Sequence, residues 1–431
     1  MSLAFLICLA AVFALAAIGT PIGYSLLVAA TLYLAVAGAD LALAAEQLIQ
    51  SIYDGYTLLA VPLFIIAANI MNAGTVSERL LTFCVAVVGR FRGGMGHVNI
   101  LSSLIFSGMS GSAVADAAGI GKIITEMMIK TGHYSRGYAA AVTAASATIG
   151  PIIPPSIPMV MYALISNQSI GYLFLAGILP GLLMGAVLMT MNYVISWRRN
   201  IPVEAPTPWR DAPGITIRAF PALMMPVILL SGIYGGATTP TEAAAIAALY
   251  ALMLAVGLYR TLNFRAFYRV VVDSARQSAT VGIVIGCALI FNYIVATERI
   301  PQMLSVFMAD QDISPLMFLL AMNILILGLG CLLDATTIIL VVLPLFIPTA
   351  NVLGIDLIHF GVVMVVNAMI GLITPPYGML LFVINAVTGI PLRDIITNVL
   401  PFLFALLLAL VALTVFPDIS LMIPRYFGYH G

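Results

Sequence analysis

The sequence predicts an all-α polytopic membrane protein built as an inverted repeat, with two re-entrant hairpins and two broken helices. Three observations carry that reading. Of the 431 residues, 62% are hydrophobic and only 8% charged, whereas soluble domains carry roughly 25% charged residues. Apolar runs long enough to cross a bilayer recur from one end of the chain to the other. Landmarks in the first half return some 220 residues later in the second.

A bilayer core takes roughly 20 apolar residues per helix. On that ruler, spans fall at 3–19, 21–38, 57–74, 135–168, 170–197, 217–235, 240–259, 276–297, 357–388 and 395–417. The first lacks a basic leading region and reads as a retained helix rather than a cleaved signal. Spans 135–168 and 357–388 are broken by Gly150-x-x-x-Pro154-Pro155 and Gly371-x-x-x-Pro375-Pro376. Adjacent prolines remove backbone donors and bar the helical region to the residue before each.

Segments 98–130 and 314–350 are apolar but interrupted in mid-run. The first carries Gly108, Ser110, Gly111, Ser112 and Asp116; the second carries Gly328, Gly330, Asp334, Thr336 and Thr337. A polar break at mid-depth fits a hairpin that enters and leaves on one face better than two thin spans. Residues 262–276 read as an amphipathic interfacial helix with snorkelling arginines, or equally as a surface connector.

Charge topology agrees. With ten crossings and two hairpins, fifteen lysines and arginines fall on one face and only Arg299 and Arg425 on the other. The positive-inside bias then puts both termini outside, in the periplasm for a bacterial inner-membrane protein. The chain divides into a first repeat, 1–198, a cytoplasmic linker, 199–216, and a second repeat, 217–431.

The repeat shows in spacing. The Gly-x-x-x-Pro-Pro breaks, and Leu179-Pro180 with Leu400-Pro401, are each offset by 221 residues; Thr20-Pro21 and Thr239-Pro240 by 219. Each half has five crossings and one hairpin. Five is odd, so the second copy enters upside down, as in secondary transporters whose sites lie at the repeat interface near mid-membrane.

Broken helices supply chemistry. Carbonyl ends suit Na⁺ and N–H ends suit a carboxylate. Ser110, Ser112 and carbonyls near Gly150 form one candidate cation site; Asp334, Thr336 and Thr337 facing Gly371–Thr374 form another. Helix restarts at Ser156 and Tyr377 aim N-terminal ends inward. Asp116 and Asp334 are acids at depth, which usually marks function. Asp334 reads as a cation ligand or a tip-holding hydrogen bonder. Asp116 stays open between ligand, helix cap and counter-charge to Lys122. Ser110 and Ser112 also read as small residues for close packing. Asn167 and Asn385 read as helix-end hydrogen bonders, and His97 and His133 as residues of interfacial loops.

Other classes lack their residues. No G-x-x-x-x-G-K-[ST] occurs, and no metal-ligand cluster or serine–histidine–acid set stands out, so an enzyme is not expected. No basic patch suggests nucleic acid. Cys8, Cys84, Cys287 and Cys331 lie in apolar runs without CxxC spacing and read as packing residues.

The motifs GGMGHVNI (93–100), FSGMSGSAVADAAGIG (106–121), TIGPIIPPSIPMVMYALISN (148–167), TPTEAA (239–244), VLPLFIP (342–348) and GLITPPYGMLLFV (371–383) resemble the large membrane subunit of tripartite ATP-independent periplasmic (TRAP) transporters. The resemblance spans essentially the whole chain, and its opening GTPIGYSLLVAATLY is closest to sialic-acid systems. It implies the ion-transporter-superfamily elevator fold, with hairpins and broken helices on a mobile domain, and Na⁺-coupled uptake of an organic anion. It also implies two partners, a small four-helix membrane subunit, not fused here, and a periplasmic substrate-binding protein. The family's ion sites carry over to Ser110, Ser112, Gly150, Asp334, Thr337, Gly371 and Thr374. Candidate substrate contacts are Ser156, Pro155, Thr336 and Tyr377. No arginine lies in either tip to meet the anion.

Overall fold

The computed structural model describes residues 2–54, 56–73, 76–203, 208 and 210–431. The first half runs α1 Leu3–Ala17, α2 Ile22–Ala37, α3 Ala42–Asp54, α4 Ala60–Asn72 and α5 Val76–Val88. A hairpin follows, α6 Gly94–Ser110 turning into α7 Ala113–Asp116 and α8 Lys122–Lys130. Then come a broken pair, α9 Arg136–Ala147 and α10 Ile157–Ser166, and the long α11 Ile170–Arg198.

The second half runs α12 Ala212–Tyr234, α13 Pro240–Leu252, α14 Phe264–Thr297 and α15 Ile300–Asp310. Its hairpin is α16 Pro315–Gly330, α17 Ala335–Thr337 and α18 Leu343–Val352. Its broken pair is α19 Leu357–Gly371 and α20 Met379–Thr388, followed by α21 Leu392–Val415 and α22 Asp418–Tyr426. Among the described residues the only β pairing is one isolated bridge, Arg92 to Val203.

The halves match in detail. The second arm of each hairpin passes through a π-helical turn just after the tip, Ala117–Gly121 and Ile338–Val342, the later one 221 residues after the earlier. Both breaks pass through a cis Pro–Pro bond, Pro154–Pro155 and Pro375–Pro376. Prolines Pro180 and Pro401 sit inside α11 and α21. Helix starts follow short polar caps, with Ser112, Ser135, Ser156, Asp334 and Asp356 each accepting a first-turn N–H, as the orphan donors of a helix N-terminus require. Thr239-Pro240 opens α13 through a reciprocal capping box with Glu242.

The core lies where hairpins and broken helices meet. Every residue from Gly137 to Ala147 in α9 and from Ile358 to Gly371 in α19 is buried. Helix α21 packs on α9 and α16 on α19, while α1 packs on α2, and α13 and α14 both pack on α4. Among the described residues, six helices are long and apolar enough to cross a membrane. Among them is Ala335–Val352, here the second arm of the second hairpin.

Several expectations change. From Phe264 onward, the 262–276 segment and the span after it form one continuous helix, the 34-residue α14, because no glycine or proline separates the arginine-bearing part from the apolar part. It is about 50 Å long at 1.5 Å per residue. Helices α3, α5, α15 and α22 are additional elements, too short or too polar for the spanning ruler. His97 sits inside α6 and is buried, not in an interfacial loop. The second broken helix restarts after Gly378, the residue capping α20 at φ 33°, rather than at Tyr377. The cysteines Cys8, Cys84 and Cys287 are buried and Cys331 half-buried, all as free thiols.

Candidate functional site

Helix α6 stops at Ser110 because Gly111 takes a left-handed turn, φ 59°. A side chain on Gly111 would start 2.6 Å from the Pro155 carbonyl oxygen, so glycine lets the first tip touch the first break. The Ser112 hydroxyl accepts the Ala115 N–H at 3.4 Å and caps α7. Asp116 is 3% exposed. Its Oδ1 accepts the Ser110 hydroxyl, and its Oδ2 has no partner. A Cβ on Gly150 would collide with that bare oxygen. Asp116 therefore belongs to the Ser110–Gly150 cluster and does not pair with Lys122.

At the second tip, Gly330 meets Gly371 backbone to backbone. A Cβ built on Gly330 would lie 2.9 Å from the Gly371 Cα, and one on Gly371 2.7 Å from the Gly330 Cα. Asp334 caps α17, accepting the Thr337 N–H at 3.1 Å and the Thr337 hydroxyl. At the break, the Thr374 N–H donates to Gly371 O at 3.0 Å and its hydroxyl to Ile370 O at 2.9 Å. Neither Asp116 nor Asp334 has a cationic partner; the one ion pair among the described residues joins Arg425 to Asp418.

Both tips and both breaks line one cavity of about 180 Å³, with Ser112, Pro151, Asp334, Thr336, Met369 and Leu372 among its walls. Ser112, Asp334 and Thr336 thus face a common space. Ser110, Gly150, Thr337 and Gly371 are buried and do not line it, and Thr374 is half-buried at the second break. Pro155 is buried against Gly111. Ser156 is fully buried; its hydroxyl accepts the Met159 N–H at 3.2 Å and donates to Pro151 O. Tyr377 is 58% exposed and lies off the cavity. Asn167 caps the end of α10, and the Asn385 side chain donates to Ile390 O at 2.7 Å.

Two buried polar networks hold this arrangement, and sequence reasoning missed both. Asn99 of α6 donates to the Thr143 hydroxyl at 2.6 Å and accepts from Ser146 at 3.1 Å, while Thr125 of α8 bonds Thr143 at 2.7 Å. Both arms of the first hairpin are thereby tied to α9. In the second half, Asn367 donates to Asn323 Oδ1 at 3.0 Å and Asn323 to Thr414 at 2.8 Å. The available signal was an asparagine in each apolar arm, since buried polar groups need partners.

The donor set is hydroxyls, backbone carbonyls and single carboxylates, which are hard oxygen ligands. Among the described residues no group of three or more His, Cys, Asp or Glu is poised for a metal ion. Oxygen donors of this kind suit a hard cation better than a soft transition metal.

Comparison with known proteins agrees with this architecture. The chain is 41% identical over 414 residues to the sialic acid TRAP transporter large permease protein SiaM of Vibrio cholerae, covering 96% of each chain. It is 40% identical over 375 residues to the C4-dicarboxylate TRAP transporter large permease protein DctM of Pseudomonas aeruginosa, covering 87% of this chain and 88% of that one. Among solved structures, the YdaH transporter of Alcanivorax borkumensis matches in fold with a TM-score of 0.64 at 15% identity, covering 85% of this chain and 86% of that one. Residues 9–419 match the family described as tripartite ATP-independent periplasmic transporter, DctM component. The chain belongs to that family: it is a multi-pass membrane protein, the large permease component of a TRAP transporter.

Proposed function

We propose that this permease drives Na⁺-coupled uptake of an organic anion, with sialic acid as its substrate. The observation that carries the proposal is the convergence of both hairpin tips and both helix breaks on one cavity. Ser110, Asp116 and the Gly150 turn would hold one Na⁺, with Ser112 beside them. Asp334, Thr337 and the Gly371–Thr374 turn would hold the other. Each cation would offset a carboxylate that is otherwise costly at mid-membrane. Substrate would bind between the tips, against Ser112, Thr336 and the restarts beyond Pro155–Ser156 and Tyr377.

Transport would follow an elevator course in which hairpins and broken helices move together against α1–α4 and α12–α14. Only the loaded domain would cross, because an empty one carries uncompensated charge. In this reading the repeats are 1–198 and 217–431, joined by a cytoplasmic linker, and both termini face the periplasm from the inner membrane. A small membrane subunit and a periplasmic substrate-binding protein complete the system.

The substrate preference rests on the SiaM likeness. A C4-dicarboxylate is the second reading. It is favoured by the cavity, whose 180 Å³ falls below the roughly 300–1,000 Å³ of drug-sized ligand pockets. The test is uptake into proteoliposomes holding this chain and its small subunit, with the binding protein, a Na⁺ gradient and a panel of acids. Sialic acid accumulation that collapses without the gradient is expected. Full-rate uptake without Na⁺ would sink the coupling, and uptake of C4-dicarboxylates alone would install the second reading.

A further inference from the structure

Away from the tips, α13 continues through a π-helical turn, Met253–Leu258, before the chain reverses into α14. Between that turn and the first two turns of α14 opens a groove of about 620 Å³, walled by Leu252, Met253, Val256, Leu262, Phe264 and Phe267. Phe264 is 85% exposed. The walls are apolar apart from Asn263, whose side chain is already used in capping α14 through the Ala266 N–H at 2.8 Å.

The reversal is strongly cationic. Arg260, Arg265 and Arg269 are all exposed, and no acid occurs anywhere between Glu242 and Asp273. Arg260 follows the π turn in a left-handed conformation, φ 52°. Arg265 lies between two groove residues, Phe264 and Phe267. None of the three makes an ion pair with another described residue. An apolar groove ending beside exposed guanidiniums at the end of a membrane helix has the two-part chemistry of a phospholipid with a net negative headgroup.

We propose that the groove between α13 and α14 is a binding site for an anionic phospholipid, with an acyl chain along Leu252, Val256 and Phe267 and the phosphate held by Arg260 and Arg265. This site is separate from the transport cavity and does not depend on which ion or substrate the permease carries.

The experiment is lipid retention by the full chain, purified in mild detergent from bilayers of equal phosphatidylglycerol and phosphatidylcholine and read by mass spectrometry. Phosphatidylglycerol should be retained in preference. The double variant Arg260→Gln/Arg265→Gln should lose that preference by about thirtyfold, taking about fivefold per arginine at a membrane surface. A second variant tests the slot itself. A Cβ on Gly257 meets nothing within 4 Å, so Gly257→Phe should fold normally yet fill the groove and release both lipids. Equal retention of the two lipids by the unaltered chain would overturn the proposal, as would retention unmoved by either variant. A photo-crosslinker at Phe264 that captures polypeptide rather than lipid in the assembled transporter would also overturn it.

Discussion

The unpartnered oxygen of Asp116 occupies the space that a side chain on Gly150 would need. These residues come from different elements, the first hairpin and the first helix break, and the missing Cβ lets them meet. Gly150→Ala should force them apart at about 1–3 kcal/mol, the usual cost of overpacking. Asp116→Asn should keep the packing and remove the charge, raising the Na⁺ concentration for half-maximal uptake about ten- to hundredfold. Na⁺ titration of uptake in proteoliposomes, beside thermal stability, separates the two effects.

At the second tip the comparison is between two glycines of one helix. Gly330 touches the Gly371 backbone, whereas a Cβ on Gly328 meets nothing within 4 Å. Gly330→Ala should destabilise by about 1–3 kcal/mol and impair uptake. Gly328→Ala should be neutral or stabilising by up to about 1 kcal/mol, since glycine weakens a helix interior. Melting in detergent checks both, and equal effects would contradict the close approach.

Asp334 combines a helix cap with a charge, and two substitutions divide them. Asp334→Asn retains a cap acceptor for the Thr337 N–H, so stability should hold while the Na⁺ response weakens. Asp334→Ala loses both, at about 1 kcal/mol for the cap. Unchanged Na⁺-driven uptake in both variants would remove Asp334 from the ion site.

Outside the membrane spans, Glu298 ties the start of α1 to the end of α14. It accepts the Ser2 N–H at 2.9 Å, the Ser2 hydroxyl and the Tyr33 hydroxyl at 2.9 Å. The Ser2 bonds, chiefly, hold its carboxyl below the ordinary 4.5. A depressed folded-state value contributes stability that is complete above 4.5 and is lost as pH falls through the folded-state value. Hydrogen exchange at the start of α1 should therefore quicken as pH falls below the ordinary 4.5, and Glu298→Gln should show the faster exchange already at neutral pH.

Much of this architecture is legible in the sequence, and its limits have physical causes. Gly-x-x-x-Pro-Pro announces a break wherever it occurs, because it acts on local backbone. Ser110-Gly111-Ser112 and Asp334 mark the tips for the same reason. Asp116 resisted assignment because its partner Gly150 lies on another element, and spacing along a chain does not give the angle at which two helices face. The length of α14 was hidden by a change of composition near Arg276, which alters the surroundings of a helix without ending it. Spacing marks Ser156 as a helix restart but does not show that its hydroxyl is already bonded to the Pro151 carbonyl.

The π turns at Ala117–Gly121 and Ile338–Val342 act as phase shifters. Each fits an extra residue into one helical turn, so the tip before it and the arm after it are rotated relative to a straight helix. One residue corresponds to about 100° of rotation at 3.6 residues per turn. Deleting Gly119, whose Cβ position is empty, would let the arm close into a regular helix and swing Asp116 about a quarter-turn off Gly150. The aim of the carboxylate is thus set by counting residues in the arm behind it, and both halves of the protein keep the same count.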